Sequence, residues 1–258
     1  IKFQNVGLNP NTANNIFNSL ISTNPEAAKG GGDGDTIEEI RQNSLANFSS
    51  QLRNVTKDDY LIRALSLPTK YGSISKAYVE PTRIQNLNTN ESSGILDLYI
   101  LTQDINANLI EASSALKQNL ITYLSQHRII NDVINIKDAF IINIGIDFDI
   151  IILPNFNSNE ILSKCISALQ NHFNINKWQI NQPIFLKDLY ILLDKIEGVQ
   201  TVKNISITNK VGSNLGYSQY AYDIEGATKN NIVYPSLDPM IFEVKYLNQD
   251  INGRVISF

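Results

Sequence analysis

From Phe140 to Ile152 an apolar side chain stands at every second position: Phe140, Ile142, Ile144, Ile146, Phe148, Ile150 and Ile152. Asn143, Gly145, Asp147 and Asp149 fall between them. Successive side chains of a strand point to opposite faces, so the alternation predicts one long strand with one buried face. The run Ala139–Leu153 is also the longest apolar stretch of the chain, and its polar interruptions leave it far short of the ~20 residues a membrane helix needs. No membrane partner is expected.

Helical periodicity surrounds this strand. The glycine cluster Gly30-Gly31-Gly32-Asp33-Gly34-Asp35 reads as a flexible joint. Thr36 and Glu39 then have capping-box spacing, and Ile37, Ile40, Leu45, Phe48 and Leu52 predict an amphipathic helix over about 36–53. A second cap starts at Thr56 with Asp59 three residues on; Val55 and Tyr60 are placed for a hydrophobic staple, and Pro68 stops the helix near Leu67. Strands are predicted over 74–79 and 95–101, and a helix over 108–126. Further helices over 158–173 and 186–196 and a strand over 199–207 follow the long strand. Turn signals at Gly226 and Asn230-Asn231 punctuate a tyrosine-rich tail.

The halves echo one another. Lys57-Asp58-Asp59-Tyr60 and Lys187-Asp188-Leu189-Tyr190 each open a helix that runs through a glycine into a strand. The expected fold is therefore α+β: two small α/β sandwich-like subdomains, helices packed on mixed or antiparallel sheets, with an N-terminal helical segment and a C-terminal β-rich tail. The boundaries read as 1–32, the end of a preceding region; 33–135 and 136–210, the two subdomains; and 211–258, the tail. The chain opens on Ile1 rather than Met and shows no signal peptide, so it reads as part of a longer polypeptide.

Composition narrows the chemistry. Of 258 residues, 43% are hydrophobic and 18% charged, a normal apolar fraction under a thin charged coat rich in Asn. With 21 Lys and Arg against 25 Asp and Glu the net charge is −4, and the positive charges are dispersed, so nucleic acid is not an expected partner. One cysteine, Cys165, and two histidines, His127 and His172, exclude an internal disulfide and a thiolate metal cluster. The joint at 30–36 lacks the lysine of a phosphate loop, and a calcium loop counted from Asp33 puts Ser44 where a bidentate Glu belongs. Asp147 and Asp149 share a strand face, as a general acid–base or metal pair would, but no third acid or histidine is near in sequence, and a solvated face accounts for them. His172, at a helix end, is placed to suit the helix dipole with its charge. Cys165 lies on an apolar helical stripe and reads as core. No catalytic residue, metal site or cofactor is indicated.

The aromatic tail is the candidate interface: Tyr217, Tyr220, Tyr222, Tyr234, Phe242 and Tyr246. In a strand Tyr220 and Tyr222 would share a face, and a hairpin through Gly226–Asn231 would present a tyrosine-rich surface. Tyrosine buries area at low entropic cost and keeps a polar tip, which suits protein interfaces and sugar platforms alike, while hairpin core packing uses aromatics equally well.

Asp33-Gly34-Asp35-Thr36-Ile37-Glu38-Glu39-Ile40-Arg41, the segment Val55-Thr56-Lys57-Asp58-Asp59-Tyr60 to Leu67-Pro68, and Lys76-Ala77-Tyr78-Val79 resemble the baseplate J-like family of contractile tails. Leu153-Pro154-Asn155-Phe156-Asn157, Trp178-Gln179-Ile180-Asn181-Gln182-Pro183, Tyr234-Pro235-Ser236-Leu237-Asp238-Pro239 and Phe242-Glu243-Val244-Lys245-Tyr246 are similar, more specifically, to the T4-like baseplate wedge proteins of tailed phages. The resemblance spans about Gly30 to Val255. It implies a structural subunit rather than an enzyme. Such a subunit pairs with a second copy of itself and with other baseplate wedge proteins, and the ring of wedges around the hub rearranges on contraction. It further implies a C-terminal part of a longer wedge protein, placed in the virion tail baseplate and assembled in the host cytoplasm, with Tyr60 and Trp178 as packing residues. A scarcity of charge, His and Cys suits extensive contact surfaces. A glycan-binding receptor module using the tyrosine tail and a cell-wall hydrolase using Asp147 and Asp149 are the alternative readings.

Overall fold

The computed structural model describes Ile37, Ile40, Arg41, Ser44 and residues 53–82, 95–129 and 132–256. Of the helix expected over 36–53, Ile37, Ile40, Arg41 and Ser44 are described and helical, while Arg53 at its end is described and not helical; the glycine joint and the Thr36 cap lie outside the described residues.

Helix α1 (Lys57–Leu65) starts as its sequence dictates. Thr56 Oγ1 accepts from the Asp59 N–H at 3.2 Å, and the Asp59 carboxylate accepts from the Thr56 N–H at 2.8 Å, so each satisfies a donor the helix start leaves open. The expected staple does not form: Val55 is 65% exposed while Tyr60 is 2% exposed. The Tyr60 hydroxyl donates to Asp132 Oδ2 at 2.6 Å, which turns the ring into the core and away from Val55. Strands β1 (Lys76–Pro81) and β2 (Ile95–Gln103) pair antiparallel, Lys76 opposite Leu101. The helix expected from 108 begins later. Asp104 Oδ1 caps a turn by accepting from the Asn106 and Asn108 N–H groups, and Leu109–Ile110 fold back on the end of β2 as β3. Ser113 then caps helix α2 (Ser114–Ser125). Strand β4 (Val133–Asp138) closes this sheet, parallel to β2. Leu98 and Ile100 from one face of β2 pack with Tyr60, Ala64, Leu120 and Leu124 in a first core.

Only Ala139 separates β4 from β5 (Phe140–Ile152), the long strand read from the alternation. On one edge β7 (Val199–Asn209) runs antiparallel along residues 144–152. On the other, β10 (Met240–Glu243) and β11 (Ile251–Val255) follow one another parallel to β5. Hydrogen-bond parity fixes this arrangement. Phe140 and Ile146 N–H groups donate to Pro239 and Asp250 carbonyls, whereas the carbonyl of odd-numbered Asn143 accepts from Lys210 beyond the end of β7. Helix α3 (Ser158–His172) packs on β11 and α4 (Leu186–Asp194) on β7. Gly253 permits the first contact, since a Cβ there would lie 2.3 Å from Phe148 Cζ and 2.6 Å from Leu162 Cδ1. A small third sheet joins β6 (Ile184–Phe185), β8 (Thr228–Lys229) and β9 (Ile232–Val233), preceded by the short helix α5 (Ile224–Ala227). Asn230 and Asn231, at φ 54° and 62°, make the two-residue turn between β8 and β9, as a hairpin twist requires.

The expectation of one buried face on β5 holds only toward its end. Residues 141–146 are buried on both sides, and alternation appears at 147–150. The odd-numbered face is covered at Asn143 by Glu243, which also accepts from the Leu109 N–H, and by the Ser218 N–H, and at Gly145 by the Lys210 and Thr208 side chains. The fold is α+β with mixed sheets, and each half sets a helix–strand unit (α1–β1, α4–β7) antiparallel beside a strand–helix unit (β2–α2, β5–α3). Within the larger core Cys165 is fully buried, as its stripe predicted, and burial pushes its thiol up to about 11. Trp178 stacks on Phe173 with ring centroids 5.3 Å apart, and its Nε1–H donates to the His172 carbonyl at 3.1 Å. His172 stands in the last turn of α3 as expected, and burial lowers its pKa, which disfavours the charged form that the helix dipole suits.

Candidate functional site

The loop from Gly212 to Asp223 carries three of the candidate tyrosines, and none of them lies in a strand. Tyr220 and Tyr222 therefore do not form the shared strand face expected of them. Tyr220 sets its ring edge-on to Phe140 at 4.8 Å and donates to Glu111 Oε1 at 3.3 Å. Tyr222 turns inward: its ring meets Phe242 at 5.9 Å and its hydroxyl donates to the Tyr234 carbonyl at 2.7 Å. Tyr217 donates to Asp250 Oδ1 at 2.6 Å, the same carboxylate whose Oδ2 accepts from the Tyr246 N–H at 2.8 Å, and the two rings meet edge-on at 5.4 Å. Burial and the Asp250 carboxylate push the Tyr217 phenol up to about 12. Phe242 is 2% exposed and part of the core. Of the six, Tyr220 and Tyr234 present the most ring to solvent, at 38% and 44%.

Behind this loop lies a cleft of about 470 Å³, walled by Tyr217 and Tyr220, with Leu109 and Glu111 on one side and Asn143 and Glu243 on the other. Glu243 is its organising residue. The carboxylate is 3% exposed; Oε1 accepts from the Leu109 N–H at 2.6 Å and Oε2 from Asn143 Nδ2 at 2.7 Å. Asn143 Oδ1 accepts in turn from the Ser218 N–H at 2.7 Å. One side chain thus ties the first sheet, through β3, to the second sheet and the tyrosine loop. Burial raises the Glu243 pKa, against which its two N–H donors work. Sequence reasoning placed no function on Glu243 or Asn143. The available signal was a carboxylate inside the apolar run Met240–Val244, an expensive position unless its oxygens are held.

A second polar tie links the first sheet to the turn after α3. Lys76 on β1 is 5% exposed, and its Nζ donates to the Asn176 carbonyl at 3.3 Å, in the turn after α3. Burial lowers its pKa to about 8. Asp147 and Asp149 are both half-buried, and Asp149 is bound by Arg254 at 3.0 Å. Among the described residues no three His, Cys, Asp or Glu side chains gather as metal ligands, and no helix is long and apolar enough to cross a membrane.

The fold has a solved counterpart. A chain of the anti-feeding prophage baseplate, determined by cryo-electron microscopy with sixfold symmetrisation, superposes with a TM-score of 0.53 at 11% identity. The match covers 81% of this chain and 42% of that one, so this chain spans less than half the length of its structural neighbour. The two share a fold. No protein-family model and no curated protein matches the sequence.

Proposed function

We propose that this chain is a structural subunit of the baseplate of a contractile tail or tail-like particle. Its role is that of a wedge protein, which self-associates, contacts other wedge proteins and rearranges when the tail contracts. The observation that carries this reading is the fold shared with an anti-feeding prophage baseplate chain over 81% of the residues. The motifs from Asp33 to Val79 that resemble the baseplate J-like family, and those from Leu153 to Tyr246 that resemble baseplate wedge proteins, support it as well. The chain works by contact rather than by chemistry, and Tyr220 and Tyr234 are the aromatic residues of the candidate interface most open to a partner. The two sheets, β1 to β4 on one side and β5 with β7, β10 and β11 on the other, are the bodies that would shift relative to one another. Deleting the coding sequence in cells that produce the particle, and complementing it in trans, tests the reading. Loss of sheathed tails, restored by complementation, supports it; normal particles that still contract overturn it.

A further inference from the structure

The cleft holds a carboxylate that forms no direct ion pair among the described residues. Both Glu243 oxygens are held by neutral donors. Lys245, the cation in the lining, favours the Glu243 carboxylate only from a distance, because its ammonium donates to the Gly216 carbonyl. Burying an anion on neutral donors alone is costly, and an incoming cation relieves that cost. The rest of the lining fits one cation in particular. Glu111 offers a second carboxylate, Tyr217 and Tyr220 offer ring faces and edges, and Ser218 Oγ is a buried polar atom with no partner. A guanidinium has planar forked donors for carboxylates and a flat face that stacks on tyrosine. A free amino acid fits less well, because its α-carboxylate would need a cation and the lining's ammonium is already engaged. A cleft of about 470 Å³ has room for an arginine together with flanking backbone.

We propose that the cleft between β3, β10 and the tyrosine loop is a socket for an arginine side chain carried on an exposed segment of a partner protein. The socket needs only an arginine-bearing partner and stands whether or not the chain works in a baseplate. The test is an NMR titration of the purified chain with acetyl-Gly-Arg-Gly-amide, its citrulline analogue and free L-arginine. The arginine peptide is expected to shift the Leu109, Ser218 and Lys245 amides saturably. The uncharged citrulline peptide should bind at least ~10-fold more weakly, and free arginine should also bind more weakly than the capped peptide. Two variants outside the buried network keep the test independent of folding. Glu111→Gln should weaken binding and Lys245→Gln should strengthen it, each by roughly threefold, the scale of one partly exposed charge. The proposal is overturned by absence of saturable shifts, by equal binding of the citrulline peptide, by preference for free arginine, or by variants that leave affinity unchanged.

Discussion

Replacing Lys76 with methionine should stabilise the protein. The side chain is 5% exposed, and among the described residues its ammonium donates to the Asn176 carbonyl at 3.3 Å. Burial takes its pKa from 10.5 to about 8. At about 1.4 kcal/mol per unit, holding the charged form in place costs about 3 kcal/mol below pH 8. The sign follows from proton counts: between about pH 8 and 10.5 the unfolded chain holds the proton more tightly, so the parent gains stability as pH rises through that window. Methionine keeps the stem's volume and removes the charge. It forfeits one hydrogen bond, worth about 1 kcal/mol, because the exposed Asn176 can turn its carbonyl to water. The net gain is about 2 kcal/mol at neutral pH, or roughly 5 °C in melting temperature for a chain of this size. Urea melts of parent and Lys76→Met at neutral pH and near pH 10 measure it directly. The gain should shrink toward zero at the higher pH. A variant less stable than the parent by the same amount at both pH values would refute the reasoning, showing that the ammonium carries no burial penalty.

Three further outcomes follow from the same structure. Tyr217→Phe removes the hydroxyl bond to buried Asp250 and should cost about 1–2 kcal/mol. Because the folded phenol titrates above its ordinary value, that cost is present at neutral pH and fades as pH rises from about 10 to about 12; a pH series of denaturant melts reads it. Cys165 should resist alkylation in the native protein and react fully in denaturant, and native labelling at the rate of a free thiol contradicts its placement. Trp178→Ala empties the stack on Phe173 and should cost about 3–5 kcal/mol, with a loss below 1 kcal/mol counting against a packed role.

What the sequence disclosed depended on how local each cause was. The Thr56 box, the Pro68 stop and the length of β5 rest on neighbours within a turn or on strict alternation, and all three were legible. The second cover of β5 was not, because Thr208, Ser218 and Glu243 reach it from 63 to 100 residues later in the chain. The same distance hid the cleft. Glu243 meets Leu109 and Asn143 only once the chain has folded across 134 and 100 positions. The tyrosine tail misled in detail because a side-chain bond, Tyr222 to the Tyr234 carbonyl, turned a ring inward that strand periodicity would have left outside. Local pattern also favoured a staple at Val55, where a hydroxyl bond to Asp132, 72 residues away, decided the ring's direction.

Locating the chain within a particle tests the assembly role most directly. An epitope-tagged copy, produced in cells that make the contractile particle, can be marked with gold-labelled antibody on purified tails in the electron microscope. Label is expected only at the baseplate end, with extended and contracted tails both marked. Label along the sheath, label at fibre tips, or unlabelled particles beside abundant free protein would contradict the assembly role.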